Sequence, residues 1–227
     1  FRWPSRGTPL IEGLDRAGRY YKDGALGGKN EPIISECQKN YTVLFTDGHY
    51  NNNDGAGNGD QDGDGANDTL ADTAFKYYDE DLNTNLDDDV PTTDADPVSH
   101  QHMNTFTVAF GLEGELTDTD GDGWPDPALE KDDIWGFDPA NCSNATKACT
   151  AKVDDMWHAA FNSAGKFVSA DTPQAVTQAI RDALATVGER QSSASSLSVN
   201  TQSVSTDTGL FQATFRAADW VGQFKRV

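Results

Sequence analysis

Carboxylates at alternate positions of a glycine-rich stretch have the spacing of ligands to a hard cation. In Asp60-Gln-Asp62-Gly-Asp64-Gly65-Ala66-Asn-Asp68 they occupy positions 1, 3, 5 and 9 of a calcium-loop pattern, with glycine at position 6 for the sharp turn. The same register recurs in Asp118-Thr-Asp120-Gly-Asp122-Gly123-Trp124-Pro-Asp126. Position 7, whose backbone carbonyl serves as a ligand, falls on Ala66 and Trp124. Without a cation, so many carboxylates converging in one turn would repel one another. Both loops depart from the EF-hand alike: position 12 holds Ala71 or Leu129, and the acid comes one residue later, at Asp72 or Glu130. No helix–loop–helix frame precedes either stretch. The expectation is one or two Ca²⁺ ions in EF-hand-like loops grafted into another fold. The plainer alternative is a pair of solvated acidic loops.

Other chemistry is sparse. His100-x-His102 has the alternate spacing of a transition-metal pair, but no further histidine lies near it, and such residues often simply face solvent. His49 beside Asp47 lacks a nucleophile or partner, and His158, next to Trp157 in a helical stretch, reads as structural. No Gly-x-Ser-x-Gly, Walker or His-Glu-x-x-His motif is present. Six residues separate Cys142 from Cys149 in a turn-rich stretch, which favours a short disulfide-closed loop outside the cytoplasm over a pair of reduced thiols. Cys37 is left over.

The elements that must position these groups follow from periodicity. After Thr8-Pro9, with Thr8 as N-cap, Leu10, Leu14, Ala17 and Tyr21 fall on one helical face. Tyr41–Thr46 is a short β-branched and aromatic run ending at Asp47-Gly48, read as a buried strand. Leu70, Ala74, Tyr77, Tyr78 and Leu82 give a second helix, and Thr105–Phe110 a second buried strand. A helix over 154–162, a strand over 166–169 and a last helix capped by Thr172-Pro173 complete the series. Alternating helices and short apolar strands imply a doubly wound α/β fold, a parallel sheet covered on both faces, whose ligands bind beyond the carboxyl ends of the strands. After Glu189 a Ser/Thr-rich stretch leads to Phe211, Ala213 and Phe215 in alternation, a turn near Asp219 and the run Trp220–Val227. The expected organisation is residues 1–189 as most of one domain and 190–227 as a connection and the first strands of a β-rich domain.

Composition narrows the function. In 227 residues, 17 Lys and Arg face 37 Asp and Glu, a net charge of −20, and 29 of those acids are Asp against 8 Glu. Asp prefers turns, caps and metal loops to helix surfaces, so the charge belongs to loops. Such a charge excludes a nucleic-acid binder, and no apolar run is long enough to span a bilayer.

Thr8 in Gly-Thr-Pro-Leu and Asp47 in Leu-Phe-Thr-Asp-Gly resemble the later two parts of the metal-ion-dependent adhesion site of the von Willebrand factor A family. Its leading Asp-x-Ser-x-Ser has no counterpart here, since seven residues precede Thr8. The resemblance implies Mg²⁺ at Thr8 and Asp47 only if that segment is supplied from elsewhere. Thr8-Pro-Leu…Gly18-Arg-Tyr-Tyr21, Cys37-Gln-Lys-Asn-Tyr41…Leu44-Phe-Thr-Asp-Gly48, Asp155-Met-Trp-His-Ala-Ala160 and Phe211-Gln-Ala-Thr-Phe215…Asp219-Trp-Val-Gly222 are similar to the tip adhesin and assembly family of type IV pili. That resemblance implies a von Willebrand A-like domain lacking its first strand. It also implies an extracellular, non-enzymatic role in adhesion or pilus assembly, with minor pilins, other pilus subunits or a host or surface ligand as partners. The alternatives are a structural subunit of a surface filament or layer, and a metal-dependent hydrolase using Asp47 and His49.

Overall fold

The computed structural model of the protein describes residues 7–24, 32–47, 49–51, 57–136, 139, 149–178, 180–181, 185, 211–216 and 221–226. The chain divides into two units, Phe1–Ile180 and Arg181–Val227.

In the first unit, helix α1 (Leu10–Asp23) leads to strand β1 (Asn40–Thr46), helix α2 (Leu70–Asp79), strand β2 (Met103–Phe110), helix α3 (Ala151–Asn162) and strand β3 (Phe167–Ala170). The three strands are parallel and ordered β1-β2-β3, with Val43 opposite Phe106 and Val108 opposite Val168. Both crossovers carry a helix, as parallel pairing requires. Residues 173–178 are helical again, with Ala175 N donating to Thr172 Oγ1 over 3.1 Å. The α/β arrangement read from the alternation is therefore present.

The core lies between the helices and one sheet face. Leu14, Leu70, Ala74, Tyr77, Met103, Ala109, Val153 and Met156 are buried together, with Leu44 packed against them. Thr107 Oγ1, on the same face, donates to Met156 O over 2.8 Å. β2 is buried along nearly all its length, as its apolar run implies. β1 is not: Val43 is 46% and Phe45 49% exposed. Among the described residues β1 has a neighbour on one side only, so its alternate residues lie at the margin of the sheet, and the expectation of a strand buried on both faces fails there.

The start of α1 also differs from its expected form. The N-cap is Pro9 without a side-chain cap bond, and Thr8 serves through its carbonyl, which accepts Leu10 N at 3.0 Å and Asn51 N at 3.1 Å. Proline lacks an N–H and suits a helix start, so a hydroxyl cap is not needed there. α1 meets α2 closely at Gly18, where a Cβ would lie 2.2 Å from the Tyr77 ring. The Tyr77 hydroxyl in turn donates to Asp15 over 2.8 Å, and Arg19 pairs with Asp15 at 2.7 Å.

The second unit shows an antiparallel pair, β4 (Phe211–Arg216) and β5 (Val221–Arg226), with Phe211 opposite Arg226 and Arg216 opposite Val221. These match the two expected strands; the turn between them lies outside the described residues.

Replacing Gly18 by Ala should cost about 1–3 kcal/mol in urea unfolding, because the ring and the two helices must move apart to admit one methyl. An unchanged midpoint would show that α1 is not seated on α2 in this way.

Candidate metal centre

Both acidic loops leave the carboxyl ends of strands. The first follows β1 and runs into the N-terminus of α2; the second follows β2 and leads to α3. Their backbones fold alike. The position 1 carboxylate accepts the N–H groups of positions 4 and 6: Asp60 from Gly63 and Gly65 (2.8 and 3.2 Å), Asp118 from Gly121 and Gly123 (2.7 and 2.9 Å). Position 3 accepts from position 5, Asp62 from Asp64 at 3.3 Å and Asp120 from Asp122 at 3.1 Å. Position 5 accepts from position 7, Asp64 from Ala66 at 2.7 Å and Asp122 from Trp124 at 2.8 Å. Gly63, Gly65, Gly121 and Gly123 all have φ between 80° and 94°, where only glycine is at ease. The repeat read in the sequence is thus a repeat of conformation.

The first loop is held from three directions. Asp72, at N3 of α2, forms a capping box with Thr69 and also accepts Gln61 N at 2.5 Å, which brings the helix's first turn against the loop. From α3, Asn162 Nδ2 donates to Asp62 Oδ2 at 2.6 Å. Lys131 Nζ donates to Asp62 O at 2.7 Å, and His158 Nε2 donates to Lys131 O at 2.9 Å. α2 is fixed to α3 by Asp155, which accepts Leu70 N (2.9 Å), Ala71 N (3.0 Å) and the Tyr50 hydroxyl.

Three ligand groups result among the described residues. Asp60, Asp62 and Asp72 each bring a carboxylate oxygen within 4.8 Å of the others; so do Asp118, Asp120 and Asp122; and Asp62 and Asp64 do the same with a ring nitrogen of His158. The Asp60–Asp62–Asp72 set is all oxygen and suits a hard cation. Burial, added to by neighbouring carboxylates, pushes the Asp62 carboxyl up to about 6 and Asp64 up to about 7, and raises Asp72. Charge so disfavoured is what a bound cation would stabilise. The second group is exposed.

The remaining candidates sit apart from these groups. Asp68 turns to Gly59 N at 2.9 Å, and Asp126 accepts Thr119 N at 2.7 Å. Ala66 is buried and Trp124 packs edge-on against Phe161. Glu130 is engaged through its backbone, its N–H donating to Asp133 and its carbonyl accepting Trp135 Nε1 at 2.9 Å. Asp47 is exposed, and among the described residues neither Thr8, Asp47 nor His49 belongs to a ligand group. His102 does not face solvent: it is 1% exposed and pairs with Asp96 at 3.2 Å. Cys149 is disulfide-bonded and Cys37 is free, while Cys142 lies outside the described residues. His158, Asn162 and Asp155 were not legible as site residues, because their partners are remote in sequence and no spacing links them.

The chain is 30% identical over 268 residues to the type IV pilus biogenesis factor PilY1 of Pseudomonas aeruginosa strain PAO1, covering 97% of this chain and 23% of that protein. Strain PAK's PilY1 is 30% identical over 273 residues, with the same coverage. The chain therefore spans about a quarter of the length of the curated relatives it matches. No family model matches the chain, and no solved structure matches it significantly.

Neutralising one of these carboxylates gives a test by linkage. Asp62 titrates near 6 folded and near 3.8 in an ordinary setting, so its folded form binds more protons and its contribution to stability is lost as pH rises from about 4 to 6. Asp62→Asn should therefore stabilise the metal-free chain at pH 7, by about 1–2 kcal/mol, and by little at pH 4. His158, held down to about 4 by burial, works in the opposite sense but acts in both proteins. A pH-independent difference in unfolding midpoint would contradict the crowding of charge at Asp62.

Proposed function

We propose, from the premise that this chain is PilY1-like over nearly its whole length, that it is a calcium-binding adhesion or assembly module at the tip of a type IV pilus. The supporting observation is the pair of acidic loops with one shared hydrogen-bond pattern, both at the carboxyl edge of a parallel sheet. In the first loop Asp60, Asp62 and Asp72 would hold Ca²⁺, with Ala66 O and Asp68 completing the shell through loop adjustment or water. In the second, Asp118, Asp120 and Asp122 would do so, with Trp124 O, Asp126 and Glu130 more distant. Neutralising these groups would let two long loops keep a fixed shape at the edge where open α/β sheets bind ligands.

The rest of the reading follows from the same premise. The first unit is of von Willebrand A type, working outside the cell at the bacterial surface, with Cys142 bridged to Cys149. Its partners are minor pilins, other pilus subunits or a host or surface ligand. Its role is binding rather than catalysis. Mg²⁺ at Thr8 and Asp47 would require the Asp-x-Ser-x-Ser segment from outside this stretch of chain.

Calcium that binds only the folded form raises stability by about 2.7 kcal/mol at a hundredfold excess over Kd. Thermal unfolding should accordingly shift upward with Ca²⁺ and return with chelator, and Asp60→Ala should remove most of the shift. Identical melting and identical proteolysis of residues 57–72 with Ca²⁺ and with chelator would refute the calcium reading.

A further inference from the structure

The first acidic loop has a second ligand group that calcium does not explain. Asp62 and Asp64 share it with His158, a nitrogen ligand, whereas calcium takes oxygen. His158 is 2% exposed, and its ring lies stacked on Trp135, 4.8 Å away and tilted by 2°. The ring's orientation and tautomer are both set. A carbonyl can only accept, so Nε2 carries the proton that it donates to Lys131 O at 2.9 Å. Nδ1 is then left with a lone pair.

His158 borders a small gap, and no donor among the described residues is hydrogen-bonded to that lone pair. Asp62 Oδ2 lies 3.6 Å from Nε2, whereas among the described residues no hydrogen bond reaches Nδ1, whose neighbour is Asp64 Oδ2 at 3.8 Å. Two acceptors at that separation are too far apart for a hydrogen bond. They are close to the separation of two ligands on one tetrahedral ion, about 3.3 Å for bonds near 2.0–2.1 Å. A cavity of roughly one water's size is lined by Asp64, Ala66, Trp135, Asp155 and His158. One turn further along α3, Asn162 is 5% exposed; its Nδ2 holds Asp62, and its Oδ1 is buried without a hydrogen-bond partner. A histidine whose far N–H is tied to a backbone carbonyl is also the usual outer arrangement around a metal-bound imidazole.

We propose that Asp62, Asp64 and His158 form a mixed nitrogen–oxygen site for a borderline divalent transition metal of the Zn²⁺ class, with Nδ1 of His158 as the nitrogen ligand and a fourth position open to water. Imidazole with carboxylates suits such ions and discriminates against Ca²⁺. The site adjoins the all-oxygen group proposed for calcium and shares Asp62 with it, so one carboxylate would bridge a hard ion and a softer one. The proposal goes beyond the calcium reading and does not depend on it, since Asp60 and Asp72 take no part.

The test is imidazole ¹⁵N spectroscopy of the chain in excess Ca²⁺, titrated with Zn²⁺, with His158→Gln identifying the His158 signals. One equivalent of Zn²⁺ should move His158 Nδ1 and leave its Nε2 proton in place. His158→Gln should lower Zn²⁺ affinity about tenfold or more while changing the Ca²⁺ midpoint less than twofold. Asp60→Asn should do the reverse, weakening Ca²⁺ and sparing Zn²⁺. If Zn²⁺ leaves His158 Nδ1 unmoved, acts only on His49, His100 or His102, or binds His158→Gln as well as wild type, the gap holds water and the proposal is wrong. In those cases a retained calcium response leaves the calcium reading standing. Loss of both responses would overturn both.

Discussion

The carboxyl edge of the sheet depends on one buried carboxylate. Asp155, in the first half of α3, is 3% exposed and accepts two N–H groups from the opening turn of α2 together with the Tyr50 hydroxyl. A helix N-terminus offers N–H groups that the helix cannot satisfy, and a carboxylate placed there meets both the hydrogen-bonding need and the positive end of the dipole. The arrangement carries a cost: burial pushes the Asp155 carboxyl up to about 6 in spite of its three donors. Removing one member of such a buried set exposes the full desolvation penalty of the rest. Because the first acidic loop ends where α2 begins, fixing α2 to α3 also fixes the loop over α3.

α3 then acts as the common support of both acidic loops. His158 and Asn162 face the first loop; Trp157 Nε1 donates to Gly123 O at 3.1 Å in the second, and Phe161 packs against Trp124. Asp154 accepts Glu115 N and Leu116 N near 3 Å, and a Cβ on Gly136 would lie 2.6 Å from its Oδ2. A helix that buries Lys152, Asp154, Asp155, His158 and Asn162 among apolar neighbours spends its polar groups on loops rather than on water. The long segments after β1 and β2 have few apolar residues of their own, so these contacts hold them where a core would otherwise be needed.

Much of this was legible in the sequence, for identifiable reasons. Tyr41–Thr46 and Thr105–Phe110 show as strands because β-branched and aromatic residues dominate both runs, and α2 shows because Leu70, Ala74 and Tyr77 recur on one face. The calcium-loop register was visible because it lies within nine residues of chain. What sequence could not show was pairing between remote groups. Asp72 was found by spacing; His158 reads as an ordinary helical residue until the fold sets it against Asp62 and Asp64. The exposure of Val43 and Phe45 was missed for a related reason: an apolar run does not reveal whether its strand has one neighbour or two.

The central claim is that the shared conformation of the two loops exists to hold cations. Anomalous diffraction from crystals grown with Ca²⁺ tests it most directly. The account predicts a peak bounded by Asp60, Asp62 and Asp72, and a second bounded by Asp118, Asp120 and Asp122. Ordered loops of the same shape with no anomalous density inside either would contradict it.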